Sequence, residues 1–239
     1  MKLIYLIIIS MNIMAQENFE EVAQTLEKEL DEHYELFLEE STPKVIGAVK
    51  LDLSERKSRN MKEYIPQEGD KAIDFSLINL KDKKFNLYNA LEKGPIVLFW
   101  YRGGWCSYCN MQLAYYQNYQ EEIQKLGARM VGIAPENPVM GNETKEDNEI
   151  SFELLTDTNN TIAREYKIVY TVKPMLYQMM NKAFDLYDYY DKTNSELPLT
   201  VLYVIDTKGI IRYAFINDDF TKRAEPKEFI KALRDLKDK

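Results

Sequence analysis

Cys106 and Cys109 are the only cysteines in 239 residues, and their C-x-x-C falls where one kind of local structure gives way to another. Ahead of it, Gly94 to Tyr101 reads Gly-Pro-Ile-Val-Leu-Phe-Trp-Tyr, a turn followed by a buried strand. Behind it, Asn110 to Leu126 reads as a helix. A dithiol at a strand-to-helix junction calls for an α/β layer structure and points to redox chemistry. The first turn of a helix offers unpaired N–H groups and a positive dipole end, which favour thiolate over thiol. Zinc would need about four ligands, and the single histidine, His33, lies far off in a helical pattern, where it reads as incidental. A purely structural disulfide over so short a loop would restrain little unfolded-chain entropy. No metal or organic cofactor is called for.

The net charge is −8, with no basic block and no Gly-rich phosphate loop. This argues against nucleic acid or an anionic membrane surface as partner. Residues Met1 to Ala15 hold one early lysine, an apolar run too short to span a bilayer, and a small residue at the end. The pattern predicts a signal peptide over 1–15 and an exported protein, periplasmic or secreted, without a membrane anchor after cleavage. In an oxidising compartment the cysteine pair rests as a disulfide unless a dedicated reductant reaches it.

The remainder divides into an N-terminal helical segment over 16–66 and a redox domain over 67–239. From Phe19 to Leu38 apolar residues recur every three or four positions on an otherwise acidic helix. That stripe either packs on its own domain or meets a partner, including a second copy of the chain as a homodimer. Ser41-Thr42-Pro43 predicts the start of a second helix. Lys81 to Lys84 separates two short extended stretches as a small hairpin. Strands are expected at Arg129 to Ala134, Phe152 to Leu155, Thr200 to Ile205 and Ile210 to Ile216, with helices after Pro138, over Thr161 to Tyr166 and over Pro226 to Leu236. The methionines and tyrosines between Tyr170 and Tyr190 suit core packing, or the lining of an adaptable apolar surface. Alternating strands and helices, with an antiparallel hairpin at Asp206 to Gly209, predict a mixed central sheet flanked by helices.

Asp70-Lys71-Ala72-Ile73-Asp74-Phe75-Ser76-Leu77, and then Phe99-Trp100-Tyr101-Arg102-Gly103-Gly104-Trp105-Cys106-Ser107-Tyr108-Cys109-Asn110, resemble a peroxiredoxin-like branch of the alkyl hydroperoxide reductase/thiol-specific antioxidant family. Ala134-Pro135, Leu155-Thr156-Asp157, Glu196-Leu197-Pro198, Tyr203-Val204-Ile205-Asp206 and Asp219-Phe220-Thr221-Lys222-Arg223 follow in the same order. The resemblance implies a thioredoxin-like fold with the site at the start of the helix after Tyr101. Peroxiredoxins carry a proline, then Thr or Ser, then the peroxidatic cysteine three residues on. On that pattern Arg102 takes the proline position, Cys106 the Thr position and Cys109 the peroxidatic position. The late-strand arginine of the family falls near Thr200.

Two mechanisms share these residues. As a peroxidase, Cys109 attacks a hydroperoxide, Cys106 condenses with the sulfenic acid, and an external dithiol such as thioredoxin restores the pair. Arg102 would then hold the thiolate and polarise the peroxide. As a thiol-disulfide oxidoreductase acting on protein disulfides, Cys106 attacks and Cys109 resolves, while Trp105 and Tyr108 shape a docking surface. A third reading is a non-catalytic binding module that uses the acidic helix and the tyrosine-rich segment as contact surfaces.

Overall fold

The computed structural model describes residues 25–59, 61–190 and 195–237. The signal peptide expected over 1–15 and the first residues of the acidic helix lie outside them.

Seven strands form the central sheet in the order β2-β1-β5-β4-β3-β8-β9. They are β1 (Ser76–Asn79), β2 (Lys84–Asn86), β3 (Ile96–Trp100), β4 (Arg129–Ala134), β5 (Glu153–Thr156), β8 (Thr200–Ile205) and β9 (Ile211–Asn217). β3, β4 and β5 run parallel, while β1, β8 and β9 join antiparallel, so the sheet is mixed as expected. β3 reads Ile-Val-Leu-Phe-Trp without polar alternation because both of its faces are covered. Ile96, Leu98 and Trp100 enter one core, and Val97 and Phe99 enter the other. Outside this sheet, β6 (Val169–Thr171) pairs antiparallel with β7 (Glu196–Pro198).

The helices are α1 (Thr25–Glu40), α2 (Pro43–Ser58), α3 (Leu87–Leu91), α4 (Ser107–Gln117), α5 (Gln120–Lys125), α6 (Pro138–Asp147), α7 (Thr161–Glu165), α8 (Pro174–Phe184), α9 (Leu186–Tyr189) and α10 (Pro226–Lys237). The single helix expected over 110–126 is two. α4 begins at Ser107, and Asn118 and Tyr119 donate three residues back, to the carbonyls of Tyr115 and Tyr116. This tighter closure ends α4, since 3₁₀ bonds do not propagate. It turns Tyr119 inward beside the already buried Tyr115 and Tyr116.

Thr42 accepts from the Val45 N–H, and Pro43 holds the first turn of α2, as the sequence predicts. α1 buries Leu26 and Leu30 in the core shared by α4 and α10, and α2 packs on α8. The N-terminal hairpin thus lies on the end of the sheet where β3 delivers the C-x-x-C.

Candidate active site

β3 ends at Trp100, the Tyr101 N–H makes a last bond to the Ile133 carbonyl of β4 at 3.0 Å, and Arg102 to Gly104 form the entry to α4. Gly103 has φ +136°, a conformation closed to other residues at little cost. A Cβ on Gly104 would stand 2.2 Å from Thr144 Oγ1. Buried Glu136 fastens this entry: its carboxylate accepts from Tyr101 Oη at 2.6 Å, the Gly104 N–H at 2.9 Å and Thr144 Oγ1 at 3.0 Å. Burial pushes the Glu136 carboxyl up, and those three donors oppose the shift.

Cys106 is the N-cap of α4, and Cys109 lies in its first turn with no exposed surface. Both thiols are free. The Cys109 sulfur accepts from the Arg102 backbone N–H at 3.4 Å and from Arg223 Nη2 at 3.5 Å. Burial alone would raise the Cys109 pKa. A hydrogen bond from Cys106, the Arg223 guanidinium, and the backbone and charge of Arg102 outweigh it and bring the thiol well below its ordinary value. Cys106 moves the opposite way. Its hydrogen bond to Cys109, its own burial and the adjoining negative charge keep it a thiol. The pair therefore consists of one thiolate and one proton donor.

Arg102 is buried beyond the end of β3. Its Nη2 donates to Tyr170 Oη at 2.7 Å, and its guanidinium stacks 4.7 Å from the Phe220 ring centre. Arg223 Nε donates to Gln112 Oε1 at 2.6 Å, and Nη1 donates to Thr200 Oγ1 at 3.3 Å and to the carbonyls of Phe220 and Lys222. Thr200, at the place where the family arginine was expected, thus holds an arginine that arrives from elsewhere in the chain. Trp105 Nε1 donates to Tyr190 Oη, which in turn donates to the Arg102 carbonyl. Tyr108 packs edge-on against both His33 and Phe220.

A cavity of about 380 Å³ opens onto Cys106, with Arg102, Trp105 and Tyr108 on its floor and wall. α1 and α2 contribute Phe37, Val45 and Val49, and α8 contributes Leu176, Met179 and Met180. The methionine-rich segment therefore does both things open to it, since Tyr177 packs in the core while its neighbours line the cavity. His33 is not incidental. Its Nε2 lies 2.7 Å from Ser107 Oγ and joins α1 to the first residue of α4.

Sequence reasoning brought Cys106, Cys109, Arg102 and Thr200 to one place and missed the roles of Arg223, Gln112, Glu136 and Tyr170. Arg223 belongs to a stretch that resembles the family, but 23 residues separate it from Thr200, and spacing alone gives no sign that they meet.

A family model described as the AhpC/TSA family matches residues 68–214. The chain is 23% identical over 169 residues to chloroplastic peroxiredoxin Q of Oryza sativa subsp. japonica, covering 71% of this chain and 67% of the relative. It is 24% identical over 169 residues to chloroplastic peroxiredoxin Q of Populus jackii, covering 71% and 68%. Among solved structures, peroxidoxin BcpB from Mycobacterium tuberculosis aligns with a TM-score of 0.58 at 19% identity, over 71% of this chain and 97% of that one. Reduced 2-Cys peroxiredoxin of Plasmodium vivax aligns at 0.56 and 13%, over 72% and 83%. The fold is thioredoxin-like, with a mixed central sheet flanked by helices.

Proposed function

The chain belongs to the AhpC/TSA family and is a thiol-dependent peroxidase, and we propose that Cys109 is its peroxidatic thiolate and Cys106 its resolving partner. The observation that carries this reading is the Cys109 sulfur held between the Arg102 N–H and the Arg223 guanidinium, with Cys106 donating to it.

Cys109 thiolate attacks the terminal oxygen of R–O–O–H. The O–O bond breaks, Cys109 becomes S–OH, and RO⁻ leaves as ROH with one proton. The Cys106 thiol then attacks the sulfenic sulfur, forming the disulfide and releasing water. A dithiol of the thioredoxin type returns both sulfurs to thiols as it becomes a disulfide itself. Arg223 faces the sulfur at the point where charge moves from sulfur to oxygen, so it stabilises the transition state as well as the thiolate.

The exchange of protein disulfides through Cys106 fits less well. Cys106 keeps 5% of its surface and Cys109 none. In that reading Cys106 must be the attacking thiolate, yet Cys106 is held as the thiol and the lowered pKa belongs to Cys109. A hydroperoxide carrying a small organic group fits the cavity that opens onto Cys106, and it reaches the Cys109 sulfur behind by passing Cys106. The apolar walls suit such a group.

The test is stopped-flow Trp fluorescence of the reduced protein mixed with hydrogen peroxide, beside Cys106→Ser and Cys109→Ser. Trp105 adjoins the pair and reports its oxidation. Fast oxidation that survives loss of Cys106 and disappears with loss of Cys109 is expected. Oxidation of the wild type no faster than that of a free thiol would overturn the reading.

A further inference from the structure

α2 carries Asp52 and Arg56 one turn apart, both pointing inward, with side chains 5% and 4% exposed and Arg56 Nε 3.1 Å from Asp52 Oδ2. Burying such a pair is expensive, and an apolar pair of similar volume is often as stable. Stability therefore gives little reason for its presence, and its contacts give a better one.

Arg56 touches both arms that reach the Cys109 sulfur. On one side its guanidinium lies 4.3 Å from the Tyr170 ring centre, and Tyr170 Oη accepts from Arg102, whose backbone N–H meets the sulfur. Asp52 secures the same arm, because its Oδ1 accepts from the Lys173 N–H at 3.3 Å, just past β6. On the other side Arg56 Nη1 donates to the Asp218 carbonyl at 2.9 Å. Asp218 opens the turn in which Asp219 Oδ1 accepts from Thr221 N–H and Oγ1. Arg223 closes that turn, its guanidinium bound to the Phe220 and Lys222 carbonyls. Exposed pairs from the hairpin grip the same turn, with Lys57 on Asp219 at 3.4 Å and Asp31 on Lys222 at 2.7 Å. Exposed pairs of this kind are weak individually, whereas the buried Arg56 is tied to fixed backbone.

We propose that Arg56, held by Asp52, is a positioning residue for the thiolate, a brace from the N-terminal hairpin that sets Arg102 and Arg223 against Cys109 at once. Arg56 and Asp52 lie outside the 68–214 stretch that matches the family, as does Arg223. The brace rests on the peroxidase reading for its purpose, but its effect on the thiol can be measured without peroxide.

The experiment measures the Cys109 thiol pKa from the pH dependence of alkylation by iodoacetamide, with the hydrogen peroxide rate and the melting temperature alongside. Arg56→Met and Arg56→Lys are compared with Ala48→Gly, which loosens the same helix without touching the brace. Both Arg56 variants should raise the thiol pKa by about one unit and slow peroxide oxidation near pH 7 by about ten-fold, almost all of it through Arg223 displaced from the charge developing on oxygen and not through lost ionisation. Arg56→Lys retains charge opposite Asp52, so it tests the brace even where Arg56→Met does not fold. One ammonium cannot span Asp52, the Asp218 carbonyl and the Tyr170 face. Ala48→Gly should lower the melting temperature and leave the thiol pKa unchanged. A folded Arg56→Lys protein with a wild-type thiol pKa overturns the proposal, as does an equal shift in Ala48→Gly. A wild type that ignores peroxide while the Arg56 variants still shift the pKa would refute the peroxidase reading and leave the brace standing.

Discussion

Replacing Arg223 with methionine removes the guanidinium 3.5 Å from the Cys109 sulfur and keeps most of the side chain's length. A hydrogen bond to a charged group contributes about 1.5–3 kcal/mol, and one pKa unit corresponds to about 1.4 kcal/mol. The Cys109 thiol, brought down to about 5, should therefore rise by about 1–2 units in Arg223→Met. At about pH 7 such a thiol is still at least half ionised, so lost ionisation slows oxidation by no more than about two-fold. Any larger loss reports charge stabilisation during O–O cleavage, where removing one positioned donor costs about 10²–10³ in rate. The expected result is a fall of about 10²-fold near pH 7 that persists near pH 9, where both proteins are fully ionised. Stopped-flow fluorescence across pH measures both quantities, and thermal melting shows whether the turn held by Arg223 has stayed in place. Arg223→Lys, which keeps the charge but not the fork, should fall between the two. A folded Arg223→Met protein with an unshifted thiol pKa and a rate within about two-fold of wild type would refute the assignment.

Two further outcomes follow from the geometry. Because burial is outweighed at Cys109 by the Cys106 donor and the two arginines, its pKa falls to about 5, and the reactive form is the one present above that value. Wild-type oxidation should stay nearly level from about pH 8 down to about pH 6 and then fall about ten-fold per unit below the pKa; a midpoint at the free-thiol value in the pH–rate profile would contradict this. Gly104→Ala places a Cβ 2.2 Å from Thr144 Oγ1 and should cost about 1–3 kcal/mol of stability in denaturant unfolding. Thr144→Ala in the same chain should recover part of that loss, and no recovery would mean that the crowding lies elsewhere.

The sheet was legible because its signals are local. The unbroken apolar run of β3, the turn residues at Asp206 to Gly209 and the cap at Thr42-Pro43 each act over a few positions, and each element stands where these residues put it. The end of α4 was less legible, since the inward turn of Tyr119 depends on a core that Tyr115 and Tyr116 share with α10. The two sulfurs were legible from their spacing, and Arg102 from its nearness to them. Arg223 was not, because its approach depends on how a turn after β9 folds back under Gln112 and Thr200. Glu136 was hidden for a similar reason. It reads as a polar turn residue before Asn137-Pro138, and only the parallel alignment of β3 with β4 carries it beneath Gly104. His33 reads as isolated in the sequence because no pattern in α1 announces that Ser107 lies against it.

The burial of Cys109 beneath Cys106 has a consequence for the return half of the cycle. A reductant's thiolate approaching the oxidised pair meets the Cys106 sulfur, which keeps a sliver of surface, and not Cys109, which keeps none. Attack there makes Cys109 the departing sulfur. A departing sulfur leaves faster the lower its pKa, and Arg223 and the Arg102 backbone lower that of Cys109. With Cys109 as the proposed peroxidatic sulfur, the charges that would make it a nucleophile toward peroxide would also make it a good leaving group toward a dithiol, so one electrostatic arrangement would serve oxidation and reduction alike.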